Sequence, residues 1–302
     1  MTNWLSKNRQ TVVRALGSVL ALVLLVILLE EKGDGELFSA LRRVSSGYFL
    51  AAIATLLVSR LFAIMRWHVL LRSAGVELPF SRSIMLTFTG NFSSNFMPTT
   101  IGGDVVRLAG AMQLGYDRAI CVASLVADRL MGMAGMVLVL PLGLGPFFSL
   151  GNGASQSIVI SALIQKGVDF ARRTFESLSI WLKRPTALFG SLFATLGNQV
   201  FIYLMVYLLL LGIGHHISFW LVAGMYTLSY FVTLIPISIN GLGVQELSMT
   251  FLLIQLGGLS SSESATVAVL VRAIFIITSL PGAFFLPSIL AAMNNKQPAS
   301  ND

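Results

Sequence analysis

The chain has 302 residues, of which 55% are hydrophobic and 11% are charged. Soluble domains carry about 25% charged residues, so this composition excludes an ordinary soluble domain and predicts a membrane protein with several spans. The formal net charge of +7 comes from basic residues scattered between apolar segments, the pattern of cytoplasmic membrane loops, so we expect no nucleic-acid partner. The single cysteine excludes a disulfide framework, and the few scattered histidines predict no metal or other cofactor.

Apolar segments and charged loops define the first spans. Residues 16–29 form an apolar run that follows three basic residues and precedes the acidic residues 30–36. This order predicts an uncleaved first span with a cytoplasmic N-terminus, because small residues for signal-peptide cleavage are missing. Residues 48–64 are predicted to form a span that leads back to the cytoplasmic side, where Arg66 is expected to extend to the headgroups. Residues 119–140 form a further full span.

The middle of the chain gives a weaker pattern. Residues 143–164 contain only a weak apolar run, whereas residues 164–184 carry an apolar stripe at helical spacing with basic residues beside it. This pattern predicts an amphipathic helix on the cytoplasmic surface, so the weak segment before it must cross the membrane. Full spans are predicted over residues 186–211 and 266–291, and the C-terminal tail is expected in the cytoplasm.

The apolar pattern is first interrupted within residues 84–107. Residues 84–97 are apolar but number only about 14, whereas a membrane span needs about 20. They end at Pro98, which removes a backbone donor, and the following Gly102 and Gly103 weaken a helix further. Broken helices persist at membrane depth only inside protein or beside a watery cavity. We therefore predict a re-entrant helical hairpin that opens to the cytoplasm.

A second interruption of similar chemistry lies within residues 220–256, at Pro236, Gly241 and Gly243. Two such breaks, one in each half of the chain, indicate the binding site of a transporter. Counting spans places the first break open to the inside and the second open to the outside, as an inverted repeat requires. We found no convincing sequence identity between the halves. The predicted fold is one all-α polytopic membrane domain over residues 1–302, with about six full spans and two broken helical hairpins.

Charged residues beside the first break are candidate functional groups. Asp104 and Arg107 are three residues apart and can pair on one helical turn, while backbone donors freed near the glycines suit a phosphate. Asp104 can alternatively cap its own helix. Asp128 and Arg129 are adjacent, so they project about 100° apart on a helix and each needs a partner on another helix. They are either structural ties or substrate contacts.

The second break has its own acid and base. Glu246 lies in the first turn of the next helix, where a carboxylate offsets the positive end of the helix dipole. Arg272 lies inside the last predicted span and is the expected partner of Glu246 or of a lipid phosphate. The Gly-x-Gly spacing does not indicate a dinucleotide loop, because no strand precedes it and the third glycine is missing.

Taken together, these residues resemble a known family, the transmembrane domain of lysylphosphatidylglycerol synthases, which also occurs alone in flippase-like membrane proteins. The resemblance covers about residues 10–290. It rests on two sets of positions: Asn95, Pro98, Gly102, Gly103, Asp104, Arg107, Asp128 and Arg129 in the first half, and Pro236, Gly241, Gly243, Glu246 and Arg272 in the second.

The resemblance implies that the domain moves lipid between membrane leaflets, while a separate soluble domain attaches the amino acid in the synthases. About 12 residues follow the last predicted span, whereas such a domain needs roughly 100 or more. We therefore expect no enzyme, but a flippase-like transporter of a phospholipid or polyprenyl-linked lipid, with the headgroup bound at the two breaks. We expect it in the cytoplasmic (inner) membrane of a bacterium with both termini cytoplasmic, alone, as a homodimer or with a partner membrane enzyme.

Two other functions stay open. A membrane-embedded enzyme that modifies a lipid headgroup would use Asp104 or Glu246 as general acid or base. An accessory subunit of such an enzyme would need only packing surfaces, although the many charges within apolar segments argue against a purely structural role.

Overall fold

The computed structural model describes residues 44–97, 102–149, 184–234 and 238–294. Within these segments the regular structure is entirely helical, with nine α-helices and one short 3-10 turn. Four of the helices are long and apolar enough to cross a membrane. The predicted all-α polytopic fold is therefore confirmed, and the chain is an integral membrane protein. The predicted first span (16–29), the acidic loop and most of the predicted amphipathic helix (164–184) lie outside the described residues.

The described helices range from 12 to 32 residues in length. In chain order they are α1 (Ser46–Ser73), α2 (Phe80–Ser94), α3 (Gly102–Gln113), α4 (Arg118–Ser149), α5 (Pro185–Gly212), α6 (Phe219–Thr233), α7 (Val244–Gln255), α8 (Ser261–Ser279) and α9 (Pro281–Asn294). The candidate membrane spans are α1, α4, α5 and α8. The shorter pairs α2–α3 and α6–α7 flank the two predicted breaks.

Three predicted boundaries were wrong. The span predicted over 48–64 continues to Ser73, so Arg66 lies inside α1. The span predicted over 119–140 continues to Ser149, so the first residues of the weak segment 143–164 belong to α4 even though two prolines interrupt its hydrogen bonds. The span predicted over 266–291 is two helices, because Pro281 begins α9, at a position where proline's missing donor costs nothing.

The first four described helices are repeated by the last five. Helices α1 and α5 each have 28 residues, α2 and α6 each have 15, and α3 and α7 each have 12. The 32-residue α4 corresponds to α8 and α9 together. The packing repeats as well, because α4 contacts α6 of the other half as α9 contacts α2.

The two repeats run in opposite directions. The start of α1 meets the end of α5, where the Ser45 N–H donates to the Gly212 carbonyl at 3.1 Å. At mid-helix the Ser59 hydroxyl donates to Asn198 Oδ1 at 2.8 Å, two positions 139 residues apart, which is also the offset between the first residues of α1 and α5. Equivalent residues therefore meet on a two-fold axis perpendicular to these antiparallel spans. The predicted inverted repeat is confirmed for the described residues.

Glycines allow the closest helix contacts between the repeats. A β-carbon on Gly143 of α4 would lie 2.5 Å from the carbonyl oxygen of Gly224 on α6. Gly282 of α9 packs equally closely on the backbone of Phe88 in α2. Small residues are common where membrane helices approach each other, since packing rather than water exclusion holds such helices together. These contacts fix the positions of α2 and α6, which line the space between the repeats.

Candidate functional site

A cavity of about 400 Å³ lies between the two repeats. Its lining comes from α1 to α8 and follows the two-fold axis. Thr87, Asn91 and Ser94 on α2 line it, as do their counterparts Tyr226, Tyr230 and Thr233 on α6. The charged side chains among the lining residues are Arg60, Arg66, Asp104, Arg107, Asp128, Arg129 and Arg272.

In the first half, two carboxylates hold three arginines. Asp128 Oδ1 accepts a hydrogen bond from Arg66 Nε at 2.7 Å, and its Oδ2 accepts one from Arg107 Nη1 at 3.3 Å. The same Arg107 nitrogen donates to Asp104 Oδ1 at 3.1 Å, and Arg129 Nε donates to Asp104 Oδ2. The expectation that adjacent Asp128 and Arg129 find separate partners on other helices is confirmed. The network ties together α1, α3 and α4.

Arg66 was predicted to extend to the headgroups, and that interpretation was wrong. The residue is only 9% exposed, because α1 continues past it and its guanidinium reaches the buried Asp128. Arg107 is similarly buried, with its guanidinium 4.2 Å from the ring centre of Trp67. Space for it depends on Gly90 of α2, where a β-carbon would lie 2.6 Å from Arg107 Cγ. Sequence reasoning missed this glycine because only the packed helices reveal the contact.

In the second half, one ion pair holds a sharply turned backbone. Glu246 Oε2 accepts from the Gly243 N–H at 2.7 Å, and Arg272 Nε donates to its other oxygen. Arg272 Nη2 also donates to the Gly241 carbonyl at 3.2 Å. Asn240, Gly241 and Gly243 have φ values of 49°, 70° and 79°. Glycine adopts positive φ without steric cost, which explains the two glycines in this turn. The predicted Glu246–Arg272 pair is confirmed.

Both breaks are held by the same device, which we call the break pair. In each half an acid is the third residue of the 12-residue helix after the break. An arginine on the following long helix, 25 residues later in the first half and 26 in the second, donates its Nε to that acid. The break pairs are Asp104–Arg129 and Glu246–Arg272.

The remaining predicted site residues shape the two breaks. Asn95, at the end of α2, donates from Nδ2 to the Ser279 hydroxyl at 2.8 Å and so joins the first break to the end of α8. Gly102 and Gly103 are buried at the start of α3, where Gly103 lies against the backbone of Gly90 and a side chain would clash. Pro98 and Pro236 lie outside the described residues.

Arg60 is a cavity residue that the sequence analysis did not select. It lies near the middle of α1, and its guanidinium stands 5.0 Å from the ring centre of Phe275. Within the described part of the chain, no carboxylate forms an ion pair with it, and its buried Nε has no acceptor. An arginine at the centre of a membrane helix costs about 2.5–3.5 kcal/mol on insertion scales, so such residues usually act on substrates or ions.

The described charges leave the cavity positive. Five arginines line it, and they are opposed by Asp104, Asp128 and, behind Arg272, Glu246. The balance is two positive charges, which favours an anionic ligand.

The family described as lysylphosphatidylglycerol synthase TM region matches residues 14–165 and 156–282. The chain belongs to this family. The first match contains α1 to α4 and the second contains α5 to α8. No curated protein matched the chain. Membership of the family confirms the resemblance described above and connects the protein with membrane-lipid function.

Proposed function

We propose that the protein is a flippase-like transporter that moves an anionic lipid, either a phospholipid or a polyprenyl-linked lipid, between membrane leaflets. The observation that carries this proposal is the positively charged cavity between two inverted repeats. A headgroup with a phosphate would occupy the cavity while its acyl chains stay in the bilayer. Guanidinium groups suit this ligand, because each can donate two parallel hydrogen bonds to phosphate oxygens.

The inverted repeat supports transport over simple binding. In transporters of this architecture the two repeats move against each other around a site near the membrane midplane, so that the site opens to one side at a time. Here each repeat contributes residues beside its break and the arginine of its break pair to the same cavity. Exchange of access would then need rearrangement around Asp104–Arg129 on one side and Glu246–Arg272 on the other.

Reconstitution in liposomes tests the proposal. Purified protein would be added to liposomes that carry fluorescent reporter lipids in one leaflet: phosphatidylglycerol, phosphatidylcholine or a polyprenyl phosphate. We expect faster exchange of at least one anionic reporter than in protein-free liposomes, and slower exchange of the zwitterionic one. If the protein accelerates exchange of none of these lipids, the transport proposal is wrong. A chemically altered headgroup would favour the membrane-embedded enzyme instead.

Location and orientation belong to the same proposal. We place the protein in the cytoplasmic membrane of a bacterium, with both termini and residues 164–184 on the cytoplasmic side. In a Cys121→Ala background, His216→Cys in the loop after α5 should react with an impermeant thiol reagent from outside. Arg173→Cys should react only after the cells are opened. The reverse pattern would contradict the orientation without affecting the transport assay.

A further inference from the structure

We infer that a phosphate group binds at one subsite of this cavity, formed by Arg60 on α1, Tyr226 on α6 and Arg272 on α8. The inference deepens the proposed function and rests on it for the identity of the ligand, an anionic lipid headgroup. It assigns the phosphate to these three residues and not to the charged network at the first break.

The Arg60 guanidinium has N–H donors that no described residue accepts. It lies near the middle of a 28-residue membrane helix and lines the cavity. Its buried Nε has no acceptor, and no hydrogen bond or ion pair joins its terminal nitrogens to the described residues. Phe275 contacts the guanidinium through its ring face, at 5.0 Å to the centroid, a contact that leaves the edge of the group free for an anion. A charged residue within a membrane helix usually has a functional partner, and among the described residues no carboxylate pairs with Arg60.

Two further donors come from the second repeat. Arg272 lies three residues before Phe275 on α8, so it is one helical turn from the ring that Arg60 covers. Its Nε and Nη2 hold Glu246 and Gly241, whereas its Nη1 has no acceptor among the described residues. Tyr226 is only 3% exposed and lines the same cavity as both arginines. No hydrogen bond engages its hydroxyl within the described residues.

The network at the first break is a poorer phosphate site. Asp104 and Asp128 lie among its arginines and would repel an anion. Each of these carboxylates already accepts hydrogen bonds from two arginines. Arg107 also has two nitrogens without an acceptor, Nε and Nη2, but its guanidinium lies against the Trp67 ring and donates to both of these carboxylates. At the proposed subsite the nearby acid is Glu246, and both of its oxygens are engaged by Gly243 and Arg272.

The test compares Arg60→Gln with a matched control on the same helix, Arg72→Gln, whose side chain is exposed at the end of α1. Melting temperatures of the full-length purified proteins are measured with short-chain phosphatidylglycerol, the corresponding diacylglycerol without phosphate, and inorganic phosphate. A ligand that binds the folded protein raises its Tm. We expect phosphatidylglycerol to stabilise the wild type and Arg72→Gln but not Arg60→Gln. Lipid exchange should fall at least tenfold in Arg60→Gln only.

Folding is controlled in the same experiment. Without ligand, Arg60→Gln should melt at the wild-type temperature or above it, because the change removes no ion pair. A much lower Tm would make Arg60 a structural cation and overturn the inference. Tyr226→Phe, which removes only the hydroxyl, should weaken the phosphatidylglycerol shift without abolishing it.

The remaining outcomes separate this inference from the transport proposal. An equal phosphatidylglycerol shift in Arg60→Gln and wild type would overturn the subsite while transport stands. If the wild-type protein exchanges no lipid but phosphatidylglycerol still raises its Tm in an Arg60-dependent way, the transport proposal is overturned and the subsite stands. A shift of the same size with inorganic phosphate would assign the subsite to the free anion and overturn the headgroup assignment, as would an equal shift with diacylglycerol.

Discussion

The two repeats use the same break pair but differ in the charges behind it. In the first repeat Asp104 pairs with Arg129, and in the second Glu246 pairs with Arg272. Both acids occupy the third position of the helix after the break, and both arginines donate through Nε. A device retained in both halves indicates what each broken helix requires, namely a tie from its first turn to the next long helix.

The first repeat adds three buried charges that the second lacks. We call Arg66, Arg107 and Asp128 the Asp128 triad, since both arginines bind that carboxylate. Counted from the first residues of the paired helices α1 and α5, α3 and α7, and α4 and α8, the positions equivalent to these three residues in the second repeat are occupied by Met205, Met249 and Val271, respectively. All three are buried in one hydrophobic cluster.

This difference shows that the repeat can pack without a buried ionic cluster. Buried ion triads are costly to desolvate, and well-packed apolar residues of similar volume often replace them with no loss of stability. The second repeat has buried apolar residues at these positions within the same chain. The triad therefore gives the first repeat a property other than its fold. The candidate property is an electrostatic field that differs between the two sides of the cavity, because only the first repeat carries the triad.

Breaking the triad at its centre has the largest expected effect. Asp128→Asn leaves the guanidinium groups of Arg66 and Arg107 buried without their carboxylate, and removing one partner of a buried pair typically costs about 3–5 kcal/mol. Denaturant unfolding in detergent micelles measures the change in the free energy of unfolding. The exposed Glu77→Gln should have almost no effect. A loss below about 1 kcal/mol would mean that water reaches the triad.

Replacing the whole triad sharpens the comparison. Arg66→Met, Arg107→Met and Asp128→Val together give the first repeat the residues of the second. The free energy of unfolding should be unchanged or increase by up to about 4 kcal/mol, since no buried charge is left unpaired. If the triple variant is as unstable as Asp128→Asn, the two repeats are not equivalent here. Lipid exchange by the folded triple variant then shows whether transport needs the triad.

The ion pairs in this comparison could be predicted from the sequence, because local rules decide them. A charge within an apolar segment needs a partner, and neighbours in a helix cannot serve each other, so Asp128 and Arg129 had to bind elsewhere. The Glu246–Arg272 pair followed from the same reasoning, and helical spacing predicted the contact of Asp104 with Arg107.

Tertiary packing decided what the sequence could not. The roles of Arg60 and Arg66 depend on where α1 ends and on which helices cover it, and no local pattern contains that information. The inverted repeat was predicted from the span count, but residue identity could not support it, since its halves share only a few chemical positions, such as Asp104 with Glu246. The equal helix lengths, the repeated helix contacts and the hydrogen bond between Ser59 and Asn198 reveal it in the structure.

The two break pairs can be compared directly through their acids. The Glu246 side chain is 6% exposed and its partner Arg272 is 19% exposed, whereas the corresponding values are 16% for Asp104 and 41% for Arg129. Solvent weakens the more exposed pair. We expect Glu246→Gln to cost about 2–3 kcal/mol and Asp104→Asn about 1–2 kcal/mol in the free energy of unfolding. The reverse order would show that the contact with Arg107 makes Asp104 the stronger tie.

The smallest expected effect concerns the backbone of the second break. Asn240 has φ 49° and ψ 31°, in the left-handed region. The described residues of the first break have no positive φ. Asparagine tolerates this conformation, whereas most residues with a β-carbon lose about 1–2 kcal/mol there.

Asn240→Ala should therefore lower the free energy of unfolding by about 1 kcal/mol, and Asn240→Gly should change it by less than about 0.5 kcal/mol, because glycine adopts positive φ without steric cost. The glycine variant is the matched control, since both substitutions remove the same amide from the cavity. Equal losses in the two variants would mean that the Asn240 side chain, and not its backbone conformation, stabilises the break. A loss confined to alanine would show that the second break depends on a left-handed turn to bring Glu246 towards Arg272.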